Sequence, residues 1–198
     1  MTPFVQGPHF IDGRATGLLD EIRDLRRRRY ASCSPHLLSA DVEARERRLG
    51  LDERGAHFVI RHPAGRLLGA VRLCATPFEV TELAAALASS DTAFARCFEV
   101  SRLVCERRIG APFLAPRLLC FAGEWAAAQP GCQGLIAVCT PPRARVFQKY
   151  GMRPVTREPL FLKDRPSSPY LLLRGDFATA RVAMRRALLA ADVCALAA

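Results

Sequence analysis

The sequence predicts an α/β protein with a mixed sheet, and the alternation of two patterns supports this. Along the 198 residues, segments with helical spacing of apolar residues alternate with short segments rich in Val, Leu and Phe. The order is helix, hairpin, helix, strand, helix, strand, helix, strand pair, helix, and it indicates a sheet flanked by helices. Because no repeat or low-complexity linker interrupts it, we predict one domain over residues 1–198.

Five segments favour helices by spacing, composition or end signals. In the first, Leu18, Leu19, Ile22, Leu25 and Arg26 fall on one side at helical spacing. The charged stretch 39–55 is predicted to be a mobile loop with one helical turn near Asp41–Arg48. The predicted helices span residues 16–30, 78–90, 112–129, 141–150 and 176–198.

Six short segments are predicted as strands. The first two are joined by Pro63-Ala64-Gly65, which is typical of a hairpin turn. The segment LIAVCT is apolar throughout, as a central buried strand should be. The predicted strands span residues 56–62, 66–74, 97–105, 135–140, 159–163 and 170–174.

The charge and hydropathy of the chain narrow its function class. The net charge is +10, but the basic residues are scattered and only Arg26–Arg29 form a run. No aromatic residues interleave with that run, whereas a single-strand nucleic-acid platform needs them. An anionic substrate or an acidic partner explains the charge as well. We find neither a ~20-residue apolar span nor a secretory signal, so we expect a cytoplasmic protein.

The eight cysteines do not form a metal-binding or disulfide pattern. They contain no C-x-x-C pair, and no histidine lies close enough to complete a zinc site. Most stand in apolar contexts, where a thiol behaves as a small hydrophobic group. We therefore predict reduced, mostly buried cysteines and no metal.

A strand, a loop and a helix follow one another around residues 99–119. Arg107, Arg108 and Gly110 precede the helix predicted from Pro112. A helix N-terminus with basic residues can bind a phosphate or pyrophosphate. The pattern is also common in ordinary connections, and taken alone it favours that interpretation.

Two motifs resemble the GNAT acyltransferase superfamily. Phe147-Gln148-Lys149-Tyr150-Gly151-Met152 resembles the "Y-x-K-x-G-F" phrase of that superfamily. Its pyrophosphate loop, Q/R-x-x-G-x-G/A, is half kept as Arg107-x-x-Gly110-x-Pro112. The resemblance places the superfamily's frequent general acid at Phe147, which has no proton to donate.

A third motif resembles two families of N-acyl transferring enzymes within that superfamily. Phe98-Glu99-Val100-Ser101-Arg102-Leu103 resembles both "W-E-L-S-R-F" of the acyl-homoserine-lactone (autoinducer) synthases and "E-I-S-R-L" of the long-chain N-acyl amino acid synthases. Upstream, Gly69–Leu73 with Ala75-Thr76-Pro77 resembles their "G-x-x-R-L-x-P-T". Arg26-x-x-x-Tyr30 resembles their "R-x-x-x-F". The similarity extends from about residue 18 to residue 155.

The resemblance implies roles for the residues of these motifs. Glu99 would be the base that frees the acceptor amine of its extra proton, and Ser101 would orient the acyl carbonyl or a water. Arg72 and Arg102 would hold the acceptor's carboxylate or brace Glu99. A structural Glu–Arg network in the sheet is the alternative. The implied acceptor-binding set is Arg26, Tyr30, Asp52, Arg72 and Arg102, and the implied thioester-binding set is Leu103, Val104, Arg107, Arg108 and Gly110.

The chain departs from the autoinducer synthases in the region after the first helix. Of their acidic E-x-D-x-x-D group only Asp52 remains, since Arg47 and Leu49 occupy the two earlier positions. The tryptophan expected there is absent. Either Asp41, Glu43 or Glu46 substitutes, or the amine donor is not S-adenosylmethionine. The phrase Asp164-Arg165-Pro166…Pro169-Tyr170 resembles instead the C-terminal "R-x-P-Y" of the N-acyl amino acid synthases.

These observations lead to one expected activity with alternatives. We expect an N-acyltransferase that uses an acyl carrier protein or acyl-CoA as donor and binds no cofactor tightly. An acyl-homoserine-lactone synthase using S-adenosylmethionine is the first choice, an N-acyl amino acid synthase the second, and a non-catalytic binding protein the third. Arg26–Arg29, Arg107 and Arg108 are candidates for docking an acidic carrier protein.

Overall fold

The computed structural model of the chain is an α/β fold with eight strands among its described residues. These strands form a mixed sheet with flanking helices, which confirms the predicted fold class. The structure describes residues 6–14, 16–84, 87, 89–106, 111–177, 179, 180, 182, 183, 185, 186 and 189. The chain divides into two compact units: a first unit of residues 1–73, 102–122 and 188–198, and a second unit of residues 74–101 and 123–187.

The first unit contains an antiparallel meander of three strands. These are β1 (Gln6–Asp12), β2 (Ala56–Arg61) and β3 (Leu67–Cys74), which ends at the start of the second unit. The hairpin between β2 and β3 confirms the prediction, with Gly65 at a φ of +86° in its turn. Strand β1 was missed because QGPHFID contains Gly and Pro and little regular alternation.

Two helices and a short 3-10 helix cover one face of this meander. Helix α1 spans Thr16–Cys33, the 3-10 helix Pro35–Leu38 and α2 Ala40–Arg48. The apolar stripe predicted for α1 is buried against β1–β3, in a core that contains Leu19, Ile22 and Leu25. Helix α2 coincides with the helical turn predicted near Asp41–Arg48, but it is longer than one turn, with nine residues. Its only buried residue is Val42, so the apolar pattern is too weak to reveal its full length.

The second unit contains the carboxyl-terminal strands. Residues 97–101 of strand β4 (Cys97–Cys105) belong to this unit. There β4 pairs in parallel with β5 (Gly134–Cys139). Strand β5 pairs antiparallel with the long β8 (Arg165–Asp176), which also pairs with β6 (Arg153–Pro154) and β7 (Leu160–Leu162). The remaining helices are α3 (Glu79–Leu83), α4 (Ser90–Ala93), α5 (Ala111–Ala127, shared with the first unit) and α6 (Pro141–Lys149).

The predicted helices of the second unit differ in extent from the observed ones. The segment 78–90 was predicted as one helix, but α3 ends at Leu83 because Ala84 is extended, with φ −143° and ψ 131°. The predicted C-terminal helix lies mostly outside the described residues, and those described between 177 and 189 are helical.

Two sequence-based expectations concern the state of the cysteines and the absence of a membrane-spanning segment. All seven cysteines in the described part of the chain are free thiols, and Cys74, Cys97, Cys120 and Cys139 are buried. No helix among the described residues is long and apolar enough to cross a membrane. One domain over residues 1–198 stays a prediction.

Candidate functional site

A buried ionic cluster lies between the meander and α1 in the first unit. Strand register places two of its residues side by side, since His57 on β2 stands directly opposite Arg72 on β3. Opposite residues of an antiparallel pair share one face of the sheet. Two residues along, Val59 and Ala70 form the next opposite pair and belong to the core under α1. His57 and Arg72 therefore point toward α1, and both are fully buried.

Asp52 joins two of the predicted arginines. Its Oδ1 accepts from Arg26 Nη1 at 2.7 Å and from Arg72 Nη1 at 2.8 Å. Arg23 adds a longer bond from Nε to Oδ2 at 3.3 Å. Burial alone would raise the pKa of Asp52, but Arg26 and Arg72 outweigh it and hold the pKa far below its ordinary value. The carboxylate is therefore ionised at every working pH.

Glu46 joins the other pair of arginines. Its Oε1 accepts from Arg72 Nη1 at 2.7 Å and from Arg102 Nε at 2.8 Å. Burial opposes ionisation, but Arg102 and Arg72 lower the pKa of Glu46 to about 2. Of the three acids that the sequence offers as substitutes for the missing acidic group, Glu46 alone has a carboxylate bonded within this cluster, whereas Asp41 and Glu43 are exposed.

Arg102 reaches the cluster through an unusual backbone conformation. Its φ of 54° lies in the left-handed region, which non-glycine residues rarely adopt. Side chains do not alternate strictly between the two faces of β4 through such a residue. The strain is offset by an ion pair with Glu46 that leaves the Arg102 side chain only 6% exposed.

The cluster opens into a cleft of about 480 Å³. Two atoms of Arg26, Nε and Nη2, are buried there without a hydrogen-bond partner among the described residues. Unpaired buried donors are costly, so they mark a place for an acceptor atom. The cleft is lined by Arg23, Arg26, Arg27, Tyr30, Leu37, Leu38, Glu43, Glu46, Arg47, Asp52 and Glu53.

Tyr30 lies one helical turn after Arg26 on α1, so the two side chains share a face. It lines the cleft and is 6% exposed. Burial raises the pKa of its phenol, although Arg102 and Arg26 oppose this. The hydroxyl therefore stays protonated at neutral pH and can donate a hydrogen bond.

Glu99 lies on the part of β4 that belongs to the second unit. Its side chain is buried, and its Oε2 accepts from the backbone N of Glu79 at 2.7 Å. Glu79 is the first residue of α3, so the carboxylate caps that short helix. Ser101, on the same strand, is half-buried.

The residues predicted to bind the thioester are only partly described. Val104 belongs to the core under α1, so any contact with a thioester would come from its backbone. Leu103 is half-buried. Arg107, Arg108 and Gly110 lie outside the described residues.

The run Arg26–Arg29 is not one surface patch. Arg26 is buried in the cluster, and Arg29 Nε donates to the Cys105 carbonyl at 2.9 Å. Arg27 and Arg28 are exposed and pair with Asp24 and Glu106. Arg26 is therefore excluded as a docking residue for a carrier protein.

His57 and Arg23 were missed by sequence reasoning. His57 carries no motif, and its place beside Arg72 follows only from the register of β2 and β3. Arg23 precedes Arg26 by three residues on α1, and that helical spacing is the one signal that could have included it.

Lowering the pH is expected to destabilise the protein through the buried imidazole of His57. Burial and the nearby Arg26 lower the pKa of His57 from 6.5 to about 4. Between these values the unfolded chain binds a proton that the folded protein does not, so stability falls as the pH drops from about 6.5 to about 4. Urea unfolding at several pH values should show this slope in the wild type and a smaller one in His57→Gln. Equal slopes would contradict it.

The fold of the chain is the GNAT-type fold, which solved structures share with it. It is similar to FeeM, an N-acyl amino acid synthase from uncultured soil microbes, with a TM-score of 0.64 and 14% identity over 96% of this chain and 97% of that one. It is also similar to BjaI, a CoA-dependent acyl-homoserine lactone synthase solved with SAM and isopentyl-CoA, with a TM-score of 0.59 and 17% identity over 94% and 98%. The AHL synthase LasI gives a TM-score of 0.57 and 15% identity over 90% and 95%.

At these identities the likeness establishes the fold, and it confirms the fold that the sequence motifs imply. No protein-family model matches the chain, and no curated protein matches its sequence. The reaction must therefore be argued from the site.

Proposed function

We propose that this chain is an N-acyltransferase that moves a fatty acyl group from a thioester to the amine of a small molecule carrying a carboxylate. The observation that carries the proposal is Arg26, whose Nε and Nη2 are buried beside the cleft and have no hydrogen-bond partner in the part of the chain that the structure describes. A carboxylate accepts two N–H groups of one guanidinium in parallel. The acceptor's carboxylate would take this position.

The reaction joins the amine nitrogen to the acyl carbon and breaks the carbon–sulfur bond. The protonated amine loses two protons: one passes to the base, and the other ends on the departing sulfur, which leaves as a thiol. Glu99 is the proposed base, directly or through a water. Its Oε2 is bonded to the Glu79 N–H, so that bond would hold the carboxylate in place while it receives a proton.

For the acceptor, we propose S-adenosylmethionine as the first choice. Its acylation followed by ring closure would give an acyl-homoserine lactone and methylthioadenosine. Two acids support this choice, because Glu46 and Asp52 both line the cleft. Of these, Asp52 is the one residue that remains of the acidic group of the autoinducer synthases. Tyr30 would contribute its hydroxyl to the same site.

An amino acid acceptor is the alternative, and two observations favour it. Arg47 lines the cleft at a place where a cationic sulfonium would be repelled. In the second unit, Arg165 Nη1 donates to Tyr170 Oη at 2.9 Å, so the residues that resemble the N-acyl amino acid synthase motif are in contact. The product would then be an N-acyl amino acid, with no methylthioadenosine.

Mass spectrometry of extracts from bacteria that overproduce the chain tests the proposal. An acyl-homoserine lactone that disappears with Glu99→Gln would support the first choice. An acylated amino acid that disappears in the same way would select the alternative. If neither the wild-type strain nor the Glu99→Gln strain formed a new acylated product, catalysis would be rejected and a non-catalytic binding protein would be favoured.

For the donor, we propose an acyl carrier protein that docks on α6. Arg143, Arg145 and Lys149 are exposed on this helix, and no Asp or Glu occurs between residues 125 and 157. A group of exposed basic side chains attracts an acidic partner over long range. The exposed Arg27 and Arg28, which pair with Asp24 and Glu106, are the other candidates.

Reversing the charges on α6 is expected to weaken the use of a carrier-protein donor. We expect R143E/R145E/K149E to raise the KM for acyl carrier protein by about tenfold or more at low salt, with less effect at high salt. The control is R27E/R28E, which should change it by less than about threefold. An equal effect of the two variants, or none, would contradict docking on α6.

A further inference from the structure

His57 has no role in the reaction proposed above, but its position and its hydrogen bond indicate one. It lies on β2 between Ile11 of β1 and Arg72 of β3, and none of its surface is exposed. Its Nε2 is 2.9 Å from the backbone oxygen of Asp52. Because a carbonyl can only accept, Nε2 carries the hydrogen in this bond.

The surroundings of the ring indicate that His57 is neutral and adds no charge to the cluster. Nδ1 is buried and has no hydrogen-bond partner among the described residues. The charged groups that face the ring are Arg26 from α1, Arg72 from β3 and Asp52 from the turn after α2. A neutral imidazole that donates through Nε2 adds no further positive charge beside the two guanidinium groups.

The bond acts on the turn that carries Asp52. This turn begins at Gly50, whose φ is +56°, and Arg54 N donates to the Gly50 carbonyl at 3.0 Å. The Asp52 carbonyl is also packed against Gly13, where a Cβ atom would lie only 2.2 Å from the oxygen. The carbonyl is thus held by His57 on one side and enclosed by Gly13 on another.

We propose that His57 is a positioning residue of the acceptor site: by holding the Asp52 carbonyl it fixes the turn that brings the Asp52 carboxylate to both Arg26 and Arg72. The proposal rests on the proposed function for its kinetic consequence. Its structural part does not, because the distances of 2.7 and 2.8 Å from Asp52 Oδ1 to the two guanidinium groups exist without a substrate.

Three variants of the full-length protein separate positioning from packing. His57→Leu removes the N–H donor, and His57→Gln keeps one. Val59→Ala is the matched control, since Val59 is also fully buried, lies two residues along β2 and faces the same core. The structural readout is the slowly exchanging guanidinium signals of Arg26 and Arg72 in ¹⁵N-arginine NMR spectra, assigned with Arg26→Lys and Arg72→Lys.

We expect His57→Leu to lose or shift these signals, His57→Gln to keep them, and Val59→Ala to keep them while lowering stability. In the acyl-transfer assay, with S-adenosylmethionine and the twenty common amino acids as acceptor probes, His57→Leu should raise the KM of the productive acceptor by about tenfold or more, with kcat changed less. His57→Gln should restore most of the affinity.

Two results would overturn the proposal. One is unchanged Arg26 and Arg72 signals in His57→Leu, and the other is the same change in Val59→Ala as in His57→Leu. If the wild type transfers no acyl group to any acceptor, the proposed function fails, while the NMR comparison still decides whether His57 positions the cluster.

Discussion

Replacing Glu99 by glutamine is expected to lower the rate of acyl transfer by about two to four orders of magnitude while the protein stays folded. Glutamine cannot accept the proton of the amine, so the base is lost. Its side-chain oxygen can still accept from the Glu79 backbone N, the bond that Glu99 makes at 2.7 Å. Thiol release from an acyl donor and urea unfolding, measured on the same preparation, check both parts.

Replacing Glu99 by alanine should add a loss of stability. The Glu79 N–H then has no acceptor at the start of α3, and an unsatisfied buried donor costs about 1–3 kcal/mol. Glu158→Gln, which changes an exposed carboxylate of the same unit, is the control and should leave the rate and the stability close to those of the wild type. A stable Glu99→Gln variant with undiminished activity would show that Glu99 is a structural cap and not the base.

The largest loss of stability is expected for Asp52→Asn. This change removes the charge from a buried carboxylate that accepts from Arg26 and Arg72 at 2.7 and 2.8 Å. Breaking a buried ion pair from one side costs about 3–5 kcal/mol, because the partner charges stay buried without compensation. The free energy of unfolding in urea measures this loss.

The neighbouring residue provides a matched control for Asp52. Glu53 also pairs with an arginine, Arg23, at 2.9 Å, but its side chain is 57% exposed. Glu53→Gln should therefore cost less than about 1 kcal/mol. Similar losses for the two variants would mean that the buried cluster contributes no more than a surface ion pair.

The sequence predicted most of the elements that carry regular hydrophobic patterns. Strand β4 agrees with its predicted bounds, and the β2–β3 hairpin and the buried stripe of α1 are confirmed. These elements bury one face or a whole strand, so their period is visible in a single sequence. Helix α2 was predicted only as one helical turn and strand β1 was missed, because both contain few buried residues in a regular period.

The ionic cluster of the proposed acceptor site was predictable only where motifs marked it. Arg26, Asp52, Arg72 and Arg102 were all predicted to bind one acceptor, and the structure brings their side chains into one ionic cluster. Glu46 was one of three alternatives, since its spacing from Asp52 does not fit the acidic motif. Which of the three acids joins the cluster depends on how α2 packs over β3, and no local sequence pattern encodes this packing.

The most direct test of the proposal is the acceptor dependence of acyl transfer in wild type and Arg26→Lys. Lysine keeps a positive charge for Asp52 but lacks the two N–H groups that Arg26 holds unpartnered at Nε and Nη2. We predict that the wild type forms one amide for each thiol released, and that Arg26→Lys raises the KM of the acceptor by about 10- to 100-fold with the KM of the donor unchanged. No amide formation by the wild type with any amine, or an unchanged acceptor KM in Arg26→Lys, would contradict the proposal.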